Sequence, residues 1–106
     1  MPAAACELRD LELLDFHDNN LFNLPAEFEK LQKLKELNLS HNALHSLPEN
    51  IHALVHLHTL KLDNNNLESL PHQTGFLPGL KTLSLAGNKL WNLPKTFTKL
   101  SKLKKL

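Results

Sequence analysis

The sequence contains little of what anchors or cross-links many small proteins. Its 106 residues include a single cysteine, Cys6, so no disulfide can form within the chain and a reducing cell interior is expected. No apolar run approaches the roughly 18 residues that a membrane helix needs. The N-terminal residues also lack the cationic start and apolar centre of a signal peptide. We therefore expect a cytoplasmic protein without a membrane span.

Aromatic residues, glycines and, over the last third of the chain, acidic residues are also scarce. Aromatic content is 6%, tyrosine is absent, and the three glycines form no phosphate-binding loop. A core of aliphatic side chains is the consequence. No acid follows Glu68, whereas residues 1–30 hold seven acids against two basic residues. Seven lysines follow Glu68: Lys81, Lys89, Lys95, Lys99, Lys102, Lys104 and Lys105.

Leucine is abundant, and its positions recur with a period of 23 residues. The stretch "LKELNLSHNALHSLPENIHAL", Leu34–Leu54, contains one complete copy of the pattern, with Asn42 at its centre. No insertion breaks the register from one copy to the next. Residues 1–10 precede the repeats and are expected to form an N-terminal cap or half-repeat. The repeat units cover 11–33, 34–56, 57–79, 80–102 and, in part, 103–106.

This pattern resembles the leucine-rich repeat family, whose unit reads LxxLxLxxNxLxxLPxx(I/F)xxL. The resemblance covers residues 11–106, and the 23-residue unit with "LP" is similar to the intracellular class found in Ras-pathway and polarity scaffold proteins. It implies an α/β repeat solenoid, a right-handed superhelix with a parallel β-sheet on its concave side and irregular or short-turn segments on its convex side. It also implies a non-enzymatic protein-interaction module, such as a signalling scaffold or adaptor.

The residues predict the same architecture without the family. Apolar and polar residues alternate in "LxLxx", which indicates a strand buried on one face. The proline in each second half predicts an extended segment or one loose turn. A buried unpaired backbone group costs about 1–3 kcal/mol, and an amide side chain can both donate and accept. We therefore expect the asparagines to pair with the backbone where each strand ends. They are Asn19, Asn42, Asn65 and Asn88.

The variable residues between the leucines are the candidates for binding a partner protein, since they point away from the core on the predicted concave face. The alternative is a solvated sheet face without a partner. Two aromatic residues at the rim, Phe22 and Trp91, are candidate interface anchors, unless their rings lie flat over the edge of the core. The concave-face candidates are Asp15, His17, Asp18, Asn38, Ser40, His41, Lys61, Asp63, Asn64 and Ser84.

Catalytic and metal-binding functions are disfavoured by residue order. His17, Ser40 and Asp63 share one column of the repeat, but a triad needs the histidine between the serine and the aspartate. His17, Asp18 and His41 could approach one another, although no cysteine supports a zinc site there. We expect neither catalysis nor a metal or other cofactor.

The C-terminal residues leave two further possibilities open. The lysine-rich segment could attract an anionic surface, although it carries no nucleic-acid-binding motif. Leu100, Leu103 and Leu106 are expected to form an uncapped apolar edge. Such an edge predicts end-to-end self-association, or a repeat segment within a larger protein whose activity lies elsewhere.

Overall fold

The computed structural model describes residues 10–24 and 26–91, and these form four coils around one parallel sheet. The strands follow chain order, and each pairs with the next at a shift of 23 residues, so that Leu14, Leu37, Leu60 and Leu83 are neighbours. The predicted parallel solenoid is thereby confirmed. The strands are β1 (Leu13–Asp15), β2 (Glu36–Asn38), β3 (Thr59–Lys61) and β4 (Thr82–Ser84).

The core consists of the leucine columns, as the alternating pattern predicts. Leu37, Leu60 and Leu83, at the centres of their strands, are at most 2% exposed, while the residues on either side of each reach the surface. A buried leucine side chain contributes about 1.5–3 kcal/mol to folding, so the repeated columns supply most of the apolar driving force. The first coil is less enclosed, since Leu11, Leu14 and Phe16 are only partly buried against this core.

The second and third return arms each begin with an extended proline and continue into a short 3₁₀ helix. Pro48 and Pro71 have ψ near 150°, and their carbonyl groups accept the first hydrogen bonds of the turns that follow. Proline suits this position because it has no N–H to donate. The prediction of an extended segment or a single loose turn is confirmed, and the turn has 3₁₀ geometry. The 3₁₀ helices are Ala26–Lys30, Glu49–Ala53 and His72–Phe76.

The four asparagines pair with the backbone at the strand ends, as expected, and three of them, Asn42, Asn65 and Asn88, form a ladder that connects successive coils. Asn42 Oδ1 accepts hydrogen bonds from the N–H groups of Asn19 (2.9 Å) and Leu21 (3.0 Å). Its Nδ2 donates to the carbonyl oxygens of Phe16 (3.1 Å) and Leu39 (2.9 Å). Asn65 repeats the arrangement one coil later and is only 4% exposed. The hydrogen bonds of this asparagine ladder hold the ends of neighbouring strands in place.

Thr74 occupies a column that is otherwise apolar, with Phe28 and Ile51 in the preceding coils. All three residues are at most 1% exposed. The Thr74 hydroxyl oxygen has no hydrogen-bond partner within the described part of the chain. Burial of such a group costs about 1–3 kcal/mol, which offsets part of the stabilisation that burying this column provides.

Several sequence predictions lie outside the described residues. These are the N-terminal cap (apart from Asp10), the partial unit 103–106, and the apolar edge at Leu100, Leu103 and Leu106. Of the seven C-terminal lysines, only Lys81 and Lys89 are among the residues that the structure describes. Over residues 10–24 and 26–91, no helix has the length and apolar character needed to cross a membrane.

Candidate functional site

The sheet register aligns one polar row across the outer face of all four strands. Asp15 pairs with Asn38, Asn38 with Lys61, and Lys61 with Ser84. Because neighbouring strands lie about 4.8 Å apart, these side chains project at regular intervals. We call this set the central row. A second row, the lateral row, runs beside it two residues earlier on each strand and contains Leu13, Glu36, Thr59 and Thr82.

A shallow depression of about 90 Å³ lies over the first three strands. That volume accommodates a single side chain rather than a small-molecule ligand. Leu13, at its edge, is 56% exposed, which is unusual for a leucine in this protein. The depression is lined by Leu13, Leu14, Asp15, Glu36, Leu37, Asn38, Thr59 and Lys61.

The acidic end of the central row is organised by His17. Its Nδ1 contacts Asp15 Oδ1, and its Nε2 lies 3.6 Å from Asp18 Oδ2. The hydrogen bond from His17 lowers the pKa of Asp15, and the same bond raises the pKa of His17 above its ordinary value of 6.5. Asp15 therefore stays ionised near neutral pH and supplies a negative charge at one end of the row.

Ser40, Asp63 and Ser84 form a hydrogen-bonded chain across the last three strands. The Ser84 hydroxyl donates to both Asp63 carboxylate oxygens, at 2.7 and 2.8 Å, and the Ala86 N–H donates to Oδ1 at 2.8 Å. The Asp63 N–H donates to Ser40 Oγ at 3.1 Å. Ser40 is also buried, with 7% exposure, which leaves it little surface for a partner.

The column of His17, Ser40 and Asp63, which contains the residue types of a catalytic triad, makes structural contacts instead. His17 contacts Asp15 and Asp18, while the Ser40 hydroxyl accepts a backbone hydrogen bond from the next coil. No hydrogen bond joins Ser40 to His17 within the described ranges. The column consequently ties neighbouring strand ends together.

Three other predicted binding residues occupy a turn with left-handed backbone geometry. Asp18, His41 and Asn64 have φ of 59°, 58° and 55°, and Gly87 follows in the same column with φ of 72°. Aspartate, asparagine and glycine tolerate this conformation better than other residues. The composition of the column thus has a backbone explanation that sequence reasoning missed. The signal was present, since an Asx residue or glycine precedes the ladder asparagine in three of the four coils.

The two predicted rim residues are both exposed. Phe22 is 67% and Trp91 75% exposed, so neither ring lies flat over the core edge. His45 and Glu68 stand between them in the same column and are exposed as well. Two large aromatic rings thus flank a polar rim.

Histidines and acidic residues do not converge elsewhere on the described surface. Within residues 10–24 and 26–91, no group of three or more potential ligands could hold a metal ion. Away from His17, the ion pairs there include Lys35 Nζ to Glu12 Oε1 at 2.9 Å and Lys33 Nζ to Asp10 Oδ1 at 3.0 Å. Both pairs lie at the start of the sheet rather than on its central row.

Comparison with known proteins places these features in context. The family profile described as leucine rich repeat matches residues 9–67 and 55–106. The chain is similar to a leucine-rich repeat protein of Leptospira interrogans, with 43% identity and a TM-score of 0.94 over 96% of this chain. No curated protein sequence matches it.

Two plant structures are also similar. An ice-binding protein is 34% identical with a TM-score of 0.79 over 93% of this chain. The peptide hormone receptor RGFR1, in complex with RGF2, is 27% identical with a TM-score of 0.83 over 97% of this chain. The chain spans only 26%, 34% and 17% of the bacterial protein, the ice-binding protein and the receptor, respectively.

Proposed function

The chain belongs to the leucine-rich repeat family, and from this premise we propose that it is a non-enzymatic module that binds another protein on its sheet face. The observation that carries the proposal is the central row, where Asp15, Asn38 and Lys61 project side by side from a rigid sheet. Asp15 Oδ2 has no hydrogen-bond partner and Lys61 no ion pair among the described residues. Asn38 Oδ1, between them, accepts a hydrogen bond from the Ser40 N–H at 3.0 Å. The likeness to a peptide hormone receptor in complex with RGF2 supports binding of a polypeptide.

The exposed aromatics extend this proposed surface. Large rings are frequent anchors of protein interfaces, and Trp91, 75% exposed, is the more exposed of the two. We place the partner on the central row with Trp91 at the margin of the contact. A scaffold or adaptor role in the cytoplasm, as in the 23-residue intracellular class, is the cellular setting that we propose.

A second candidate role is that of a structural repeat segment in a longer protein whose activity lies elsewhere. It is favoured by one observation: the similar solved structures extend far beyond the matched region, which is 17–34% of their chains. In that case the sheet face of this segment would have no partner of its own.

Capture of partners from a lysate of the source cells separates the two roles. The variant Lys61→Glu with Trp91→Ala should lose the captured protein, because one change reverses a charge of the central row and the other removes an anchor. Thermal unfolding should be nearly unchanged, since both side chains are exposed.

A matched control carries the same kinds of change away from the sheet face. Lys81 lies just before β4 and is exposed, and Val55, 45% exposed, follows the second 3₁₀ helix. Lys81→Glu with Val55→Ala should retain the partner. Equal capture by both variants would overturn the proposed function and favour the structural role.

A further inference from the structure

We propose that the partner presents an α-helix to the sheet face, lying across the strands, with a basic side chain over Asp15 and an acidic side chain seven residues later over Lys61. This inference rests on the proposed function and adds the chemistry of the partner. It follows from the spacing of the central row, the hydrogen bonds that its side chains leave unmade, and the shape of the surface beside it.

The spacing of the central row matches the repeat of a helix. Asp15 and Lys61 lie two strands apart, which corresponds to about 10 Å. Seven residues of an α-helix advance about 10.5 Å and return to nearly the same face. One helical turn, about 5.4 Å, likewise approximates the step of about 4.8 Å from Asp15 to Asn38. A helix along the row therefore stays in register over three strands.

An extended segment fits less well. Its side chains on one face recur every 6.8 Å or so, and distances of about 7 or 14 Å both miss the separation of Asp15 and Lys61. An extended segment that ran parallel to the strands would meet only one residue of the central row. A polyproline II segment, at about 9.3 Å per turn, would also reach both charges, but only the α-helix places a further side chain of the same face near Asn38.

The side chains of the row leave complementary groups available. Asp15 bonds only to His17 among the described residues, and it does so through Oδ1, so Oδ2 can accept from a partner. Glu36, in the lateral row of β2, is exposed and lies diagonal to both Asp15 and Lys61. Lys61 is exposed and has no ion pair with any described residue. The row is thus acidic at β1 and basic at β3.

The shape of the surface agrees with this charge pattern. The depression of about 90 Å³ can hold one long side chain, and the exposed Leu13 can pack against the aliphatic stem of an arginine or lysine. Beyond Lys61, the small side chains of Thr82 and Ser84 leave space above β4. A bulky apolar residue one further helical turn along the partner would fit there.

Selection from a displayed library of helical peptides tests this inference. The peptides, about 20 residues long, are randomised on one face, at positions i, i+3, i+4, i+7 and i+11. Selection on the parent protein should enrich a basic residue at one position and an acidic residue seven places away. Enrichment of proline-containing extended peptides, of helices without this pair, or of no peptide would overturn the helix inference.

Parallel selections on two variants locate the contact. On Lys61→Glu, the preferred acidic residue should become basic, and peptides selected on the parent should lose about tenfold or more in affinity. On Lys81→Glu, the preference should match that of the parent. An unchanged preference on Lys61→Glu would contradict the placement on the central row.

Failure of the helix inference and failure of the proposed function would give different results. Extended peptides that bind only when Lys61 is present would overturn the helix while the sheet face remains the binding surface. Lysate capture that is insensitive to the Lys61→Glu and Trp91→Ala changes would overturn the binding surface itself.

Discussion

The strands and the turns that follow them present polar side chains in neighbouring columns, but the surroundings of those side chains differ. On the strands, the Asp15 side chain forms hydrogen bonds only with His17 among the described residues, and Lys61 has no described ion pair. After the strands, Asp63 accepts hydrogen bonds from Ser84 Oγ and the Ala86 N–H. Asp15 and Lys61 are thus available for a partner, whereas Asp63, together with Ser84 of the central row, stabilises the coil stack.

The largest effect should come from the asparagine ladder, at the interior of the strand ends. Asn65→Ala removes the partners of the Leu44 N–H and of the Leu39 and Leu62 carbonyl groups. Each unpaired buried group costs about 1–3 kcal/mol, so we expect the free energy of unfolding to fall by about 3 kcal/mol or more. Urea unfolding followed by circular dichroism measures the change.

Asn19→Ala is the matched control at the first coil. Asn19 is exposed, and its amide donates only to carbonyl groups of its own coil, those of Phe16 and His17. A loss of at most about 1 kcal/mol is expected there. Equal losses at Asn19 and Asn65 would show that the ladder does not depend on links between coils.

A smaller loss is expected at the outer part of the strand ends. Asp63→Ala removes the acceptor of Ser84 and Ala86, and because Asp63 is partly exposed we expect a cost of about 1 kcal/mol. Asp63→Asn keeps an acceptor oxygen and should recover most of the stability. Thermal unfolding of both variants measures these losses of stability. An Asp63→Ala variant as stable as the parent would contradict this account.

A comparable or smaller effect tests the left-handed turn. Gly87→Ala places a Cβ at φ of 72°, and this Cβ would also lie against Asn64 Oδ1. We expect a loss of about 1 kcal/mol. Gly87→Asn adds the same Cβ but tolerates the backbone conformation, so it should cost less in urea unfolding. Equal losses of stability in the two variants would show that crowding against Asn64, and not the left-handed backbone conformation, causes the effect.

The strands, their register and the asparagine ladder could be predicted because they depend on local patterns repeated every 23 residues. Alternation around Leu37 and Leu60 indicates which face is buried. The backbone groups left unpaired at each strand end explain why an amide follows. Each of these inferences needs only one coil and the assumption that identical coils stack.

The use of the outer residues could not be predicted in the same way. Whether Asp63 faces a partner or bonds to Ser84 depends on side-chain geometry between coils, 21 residues apart in the sequence. The depression beside Leu13 likewise arises only when three strands are assembled. Sequence columns identified the surface, and the contacts between coils divide it into residues that serve the fold and residues left for a partner.

The most direct measurement compares the stability of a strand variant with that of a ladder variant. Replacing Asp15 and Lys61 together by threonine, which suits strands, should leave the urea midpoint no lower than that of the parent. Asn65→Ala should lower it substantially. If the threonine variant unfolded as easily as Asn65→Ala, the central row would be part of the structural framework, and its assignment as the binding surface would be wrong.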